Sequence, residues 1–141
     1  MPGSYDAVDQ YRKTAVNTAS PLELVVMLYD GAIRFIDAGK IAMAKKDLEA
    51  QNTNLQKAQK VINELITCLD MQRGGEIATN LFSIYNFVNN QLIEANINDR
   101  EDLLDGAKSL LINLREAWIT IKDQLPASPS IGEKPRLELA G

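Results

Sequence analysis

The side chains that most often carry catalysis or bind metals are scarce in this sequence. It has no histidine, and Cys68 is the only cysteine among its 141 residues. The absence of histidine excludes catalytic triads built on that residue, zinc sites with histidine ligands and di-iron bundles with Glu-x-x-His motifs. A lone thiol without a histidine or a strongly cationic neighbour is poorly activated. We therefore expect Cys68 to be a small residue at the edge of a core.

Carboxylates could still support general acid–base chemistry, but their positions have a simpler explanation. The acidic pairs are Asp70 with Glu76 and Glu101 with Asp102. Each pair lies at the end of a predicted helix, where capping and the helix dipole favour acidic side chains. The Gly-Gly pair at residues 74–75 follows no strand, so it predicts a turn and not a phosphate-binding loop. The sequence therefore predicts a protein that is not an enzyme and holds no cofactor or metal.

The overall composition is typical of a single globular domain. Hydrophobic residues make up 45% of the chain and charged residues 24%, with a net charge of −4. An acidic chain without a basic stripe is a poor candidate for binding nucleic acid. No apolar run reaches the roughly 18 residues that a membrane span needs, and MPGSYDAVDQYRK lacks the apolar stretch of a signal peptide. With the single cysteine, these features predict a cytosolic protein that does not insert into membranes.

Hydrophobic periodicity predicts helices throughout and no strands. The predicted helices run from about Pro21 to Lys46, from Leu48 or Leu55 to Asp70, from Glu76 to Asn96, and from near Asp99 to the proline-rich end of the chain. Gly74 and Gly75 are expected to end the second helix, and Asp99 to cap the fourth. Four helices of similar length with short connections favour an all-α, antiparallel four-helix bundle.

The predicted bundle occupies residues 20–125 and is flanked by two segments of different character. Residues 1–19 form a cap in which Tyr5, Val8 and Tyr11 recur at a spacing of three, which indicates a short amphipathic helix. Such a segment is too short to be stable alone, so we interpret Tyr5 and Val8 as parts of a lid. Tyr11 has two open interpretations, N-terminal packing or a functional role. Residues 126–141 contain several prolines and are expected to be disordered.

The first helix is apolar on more sides than one core requires. Its charged residues share an arc of roughly 60°, which leaves about 260° almost uncharged, whereas a core-facing stripe needs only about 100°. The helix is a central one with three neighbours, or it exposes some Leu and Met side chains to solvent without consequence, or it forms part of a groove for another chain's helix. The third and fourth helices also carry large apolar residues outside their core stripes. The groove candidates are Leu24, Met27, Leu28, Phe35, Phe82, Phe87, Ile93, Ile112 and Ile119.

Three stretches stand in an order and spacing that resembles the flagellar secretion chaperone family, FliS. They are TASPLELVVMLYDGAI, GGEIATNLFSIYNFV and ANINDREDLLDGAKSLLINLREAW, preceded by the tyrosine of QYRKTAV. The resemblance covers roughly Tyr11 to Ile121. It implies a four-helix bundle in the bacterial cytosol that binds the disordered C-terminal segment of flagellin, prevents premature polymerisation and delivers flagellin to the flagellar type III export apparatus.

The resemblance also implies particular partners and one further site residue. The partners are the flagellin C-terminal segment, an export gate protein and, in some lineages, a regulatory co-chaperone or assembly factor. Tyr11 matches the N-terminal tyrosine that the family associates with client binding. The alternative is a non-chaperone four-helix scaffold or regulatory docking module, which would not retain a flagellin peptide.

Overall fold

Residues 21–124 are described by the structure, a computed structural model. They form α1 (Pro21–Ala44), α2 (Leu48–Thr67), α3 (Met71–Asn98) and α4 (Glu101–Gln124). The predicted cap with Tyr5, Val8 and Tyr11 and the predicted tail 126–141 lie outside the described residues.

The four helices stand at the corners of a square in chain order. Helix α1 packs against α2 and α4, and α3 packs against the same two neighbours. Each connection between consecutive helices is only two or three residues long, which makes neighbouring helices antiparallel. The prediction of an all-α four-helix bundle is confirmed.

Two predicted helix ends are wrong. Helix α2 ends at Thr67, before the two glycines, and Asp70 caps α3 by accepting a hydrogen bond from the Arg73 backbone N–H at 3.0 Å. Gly75 lies inside α3 instead, where it adopts a positive φ of 54° and kinks the helix. Asp99 does not cap α4; it ends α3 in the left-handed conformation with φ 53°. Aspartate tolerates that conformation better than most residues, and this lets α3 turn directly into α4.

Close approach of α1 and α2 depends on one glycine. A methyl group at Gly39 would lie 2.5 Å from Leu55 Cδ2, much closer than two carbon atoms can pack. Leu55 itself is fully buried. The absence of a side chain at position 39 therefore lets a leucine of α2 fill the space beside the α1 backbone.

A hydrogen-bonded network of aromatic residues crosses the middle of the core. The Tyr29 and Tyr85 hydroxyl oxygens lie 2.6 Å apart, and Trp118 Nε1 donates to the Tyr29 hydroxyl at 3.0 Å. The three side chains come from α1, α3 and α4, so the network joins the diagonal pair α1 and α3, which otherwise do not pack together. Burial raises the pKa of both tyrosines, so both hydroxyls stay neutral.

We expect Tyr29→Phe to lower the free energy of unfolding more than Tyr85→Phe does. Loss of the Tyr29 hydroxyl removes its hydrogen bonds with both the Trp118 N–H and the Tyr85 hydroxyl, and a buried polar group left without a partner costs about 1–3 kcal/mol. Loss of the Tyr85 hydroxyl leaves the bond between Trp118 and Tyr29 in place. Urea unfolding followed by circular dichroism measures both variants. A larger loss for Tyr85→Phe would contradict the central position of Tyr29 in the network.

Candidate protein-binding surface

The α1 candidates divide between the core and its edge. Leu24, Met27 and Phe35 are half-buried, whereas Leu28 is 0% exposed. Leu28 lies three residues after Val25, on the same stripe of the helix, and Val25 is also buried. The interpretation of Leu28 as a groove residue is therefore corrected: it is a core residue and is not available to a partner in this conformation.

Phe35 lies at the outer edge of the contact between α1 and α2. The Lys57 ammonium group of α2 lies 5.7 Å from the centre of the Phe35 ring. This distance is within the range of a cation–π interaction. Phe35 is thus partly covered by its own chain, and a partner that reached the ring would also meet a positive charge.

The α3 candidates are the clearest exposed set on the bundle. The exposed fractions are 40% for Phe82, 53% for Phe87 and 41% for Ile93. Asn89 donates a hydrogen bond to Asn63 of α2, which fixes the side of α3 that faces α2. At about 100° per residue, Phe82 and Ile93 fall within about 40° of Asn89, whereas Phe87 lies about 160° away. Phe82 and Ile93 therefore flank the groove between α2 and α3, and Phe87 lies on another side of the helix.

The α4 candidates lie along the seam between α1 and α4, which is crossed by ion pairs. Ile112 is 36% exposed, whereas Ile119 is half-buried and packs against the core. Ile112 stands between Lys108 and Arg115 in sequence, and these two residues pair with Asp37 and Asp30 of α1. A third pair, between Lys40 and Asp105 at 2.7 Å, extends the series along the same seam. Ile112 and Ile119 thus belong to the seam between α1 and α4, on the opposite side of the bundle from Phe82 and Ile93.

Several strongly exposed apolar side chains were not among the candidates. Ile97 is 73% exposed, Leu48 66% and Ile41 57%, and Met71 is also exposed. Ile97 and Leu48 lie at helix ends, where a search for periodic stripes is least informative. The prediction that the third helix ends at Asn96 left Ile97 outside it. The sequence feature that could have identified Ile97 as a surface apolar residue is its large aliphatic side chain in an otherwise polar stretch.

A small cavity lies at the end of the bundle where α2 leads into α3. Its volume is about 20 Å³, which has room for roughly one water molecule. Its lining includes Cys68, Leu69, Tyr85 and Trp118. Cys68 is half-buried there, so the prediction of a residue at the core edge is confirmed. Ile77, which also lines this cavity, is 41% exposed and lies two residues after the Gly75 kink.

The fold and this surface define an all-helical bundle that carries large apolar side chains on its outside. Among the described residues, no helix is both long and apolar enough to cross a membrane. The chain belongs to the family described as flagellar protein FliS, whose model matches residues 4–125. The resemblance inferred from the three sequence stretches is therefore confirmed.

Named relatives from distant bacteria agree with the family assignment. The flagellar secretion chaperone FliS of Vibrio cholerae is 36% identical over 130 residues, which cover 89% of this chain and 90% of that protein. The protein of the same name from Bacillus subtilis is 35% identical over 108 residues, which cover 77% of this chain and 80% of that protein. The FliS protein of Salmonella typhimurium is 36% identical over 107 residues, which cover 75% of this chain and 79% of that protein. The chain is thus a member of a flagellar secretion chaperone family.

Core and surface positions should respond differently to truncation. Leu28→Ala and Leu111→Ala each remove a fully buried side chain, so each should lower the free energy of unfolding by about 2–5 kcal/mol. Phe82→Ala removes a side chain that is 40% exposed and should cost less than either. Urea unfolding compares the three variants. A Phe82→Ala loss as large as that of Leu111→Ala would mean that the faces of α3 and α4 have been assigned wrongly.

Proposed function

We propose that this chain is an export chaperone that binds the disordered C-terminal segment of flagellin. It keeps flagellin from polymerising in the cytosol and delivers it to the flagellar type III export apparatus. The single observation that carries the proposal is the exposed apolar set on α3, with Phe82, Phe87 and Ile93, in a member of this family. The partners are flagellin, an export gate protein and, in some lineages, a regulatory co-chaperone or assembly factor.

The mechanism needs only binding. A disordered segment that folds on its partner loses conformational entropy, so it must bury a large apolar area in compensation. Candidates on several sides of the bundle, from Leu24 and Met27 to Phe82 and Ile93, suit a client that wraps around it. Flagellin residues held in this way cannot pack into a filament at the same time. No bond is made or broken, so the proposal requires no nucleotide and assigns no enzymatic activity.

Binding of a flagellin C-terminal peptide should be apolar and coupled to folding of the peptide. Burial of apolar surface gives a negative heat-capacity change, and folding adds helical circular dichroism beyond the sum of the free components. Isothermal titration calorimetry at several temperatures measures the first, and far-ultraviolet spectra measure the second. The non-chaperone scaffold is the outcome if the peptide does not bind. Binding that depends strongly on salt without any gain of helix would contradict an apolar, folding-coupled mode.

The lid interpretation of Tyr5 and Val8 remains a prediction, because these residues lie outside the described part of the chain. A lid that covers the client site lowers the apparent affinity by the fraction of closed molecules. Deletion of residues 1–10 should therefore tighten peptide binding or leave it unchanged, while Tyr11, proposed to contact the client, is retained. Calorimetry measures the affinity, and hydrogen exchange should show residues 1–10 gaining exposure when the peptide binds. Increased protection there would mean that the segment clamps the client and is not a lid.

A further inference from the structure

The first turn of α3 is set apart from the rest of that helix. Asp70 caps the turn by accepting a hydrogen bond from the Arg73 backbone N–H, and Gly75 ends it with φ 54° and ψ −130°. A residue with a side chain is strongly disfavoured in that conformation. On the other side, the short connection 68–70 joins the turn to α2. The turn Met71–Gly74, which we call the α3 flap, is therefore held between a connection and a glycine hinge.

The α3 flap contributes little to the hydrophobic core. Of residues 71–77, Gly74 alone is buried, and Met71 is 45% exposed. The start of α1, by contrast, buries the large side chains of Leu22 and Val25. Segments with few buried apolar contacts open locally at a lower free energy than the whole domain unfolds. The α3 flap can therefore move at little cost in lost packing.

Close packing of the α3 flap on the next turn depends on Gly74. A methyl group at position 74 would lie 2.5 Å from Ala78 Cβ, closer than two carbon atoms can pack. A Cβ atom cannot rotate away from its own backbone, so the observed position of the flap requires glycine at position 74. The two adjacent glycines thus have separate roles, because Gly74 allows close packing and Gly75 allows the change of direction.

The α3 flap forms part of the wall of the small cavity at this end of the bundle. Gly74 and Ala78 line the cavity together with Cys68 of the α2–α3 connection. The cavity also reaches Tyr85 and Trp118, two members of the network that joins α1, α3 and α4. Displacement of the flap removes Gly74 from this wall and opens the cavity to solvent.

We infer that the α3 flap is a gate that opens about Gly75 while the four-helix bundle stays folded, and that it controls access to Cys68 and to the cavity beside Tyr85 and Trp118. In the closed position, Gly74 packs on Ala78 and the flap covers the cavity. In the open position, the cavity admits water and small solutes. The inference is independent of the proposed function, because it rests on contacts within this chain alone.

Chemical labelling of the thiol measures the gate, because Cys68 is the only cysteine of the sequence and lines the cavity. The full chain is treated with iodoacetamide at a series of urea concentrations, and mass spectrometry gives the rate of labelling. Global unfolding exposes a large surface and depends steeply on urea, whereas a local opening exposes little and depends on urea weakly. We expect labelling to be slower than in the unfolded chain and, at low urea concentration, nearly independent of urea.

A pair of compensating variants tests the contact that closes the gate. Gly74→Ala adds a methyl group that meets Ala78, so we expect Cys68 to be labelled faster than in the unmodified chain, by about tenfold or more. Ala78→Gly removes the opposing methyl group, so the double variant should label within about twofold of the Ala78→Gly rate. Gly106→Ala on α4 is the matched control, because its added methyl group meets no atom within 4 Å. It should label within about twofold of the unmodified chain.

Urea unfolding followed by circular dichroism establishes that each variant is folded under the labelling conditions. If the unmodified folded chain is labelled as fast as the unfolded chain, nothing covers Cys68 and the gate is overturned. A steep dependence on urea at every concentration would mean that only global unfolding exposes the thiol, with the same consequence. This series decides the question even if a variant does not fold. An unchanged rate in Gly74→Ala, or a double variant that is not restored, would overturn the closing role of the contact between Gly74 and Ala78.

Discussion

The hydroxyl of Tyr29 lies where three of the four helices meet, and the bundle is organised around the bonds it makes. It accepts a hydrogen bond from the Trp118 N–H of α4 and forms another with the Tyr85 hydroxyl of α3. Apolar contacts alone allow helices to slide or rotate at modest cost, whereas buried polar groups are stable only when their partners are in place. The network therefore fixes the rotation of α1, α3 and α4 relative to one another. The apolar side chains outside the core acquire definite positions as a result.

Two seams of contrasting chemistry follow from that arrangement. The seam between α1 and α4 is crossed by ion pairs that include Asp37 with Lys108, each worth little by itself at the surface but arranged as a series. The seam between α2 and α3 is crossed by amide pairs such as Asn63 with Asn89. Desolvating a seam of ion pairs costs more than desolvating one of neutral amide pairs. The four helices pack in a nearly square arrangement, but the surfaces between neighbouring helices differ in charge.

This difference is relevant to a family whose named members are flagellar secretion chaperones. A chaperone of this kind must present enough apolar surface to capture a client and still avoid collecting other chains. Distribution of Phe82, Phe87 and Ile93 along a helix rich in asparagine keeps the apolar side chains apart and separated by polar ones. Such a surface has a smaller continuous apolar patch than a leucine-rich face would have.

The sequence by itself determined the helices, their approximate ends and the family. Helical periodicity depends on residues three and four apart, so Leu104, Ala107 and Leu111 mark a buried stripe without reference to the rest of the chain. The missing histidine and the spacing of three motifs are likewise properties of the chain alone. They sufficed to exclude several kinds of active site and to identify the flagellar chaperone family.

Only the tertiary structure decided which of the surplus apolar residues are exposed and what lies beside them. From the sequence, both Leu28 and Phe82 were predicted to line a groove, yet Leu28 is fully buried and Phe82 is 40% exposed. The difference depends on how α1 and α3 are rotated, and that rotation is set by contacts between residues far apart in the chain. Tyr29 and Trp118, for example, are 89 positions apart. Local periodicity contains no information about such pairs, because the hydrogen bond that couples them forms only when the helices have packed.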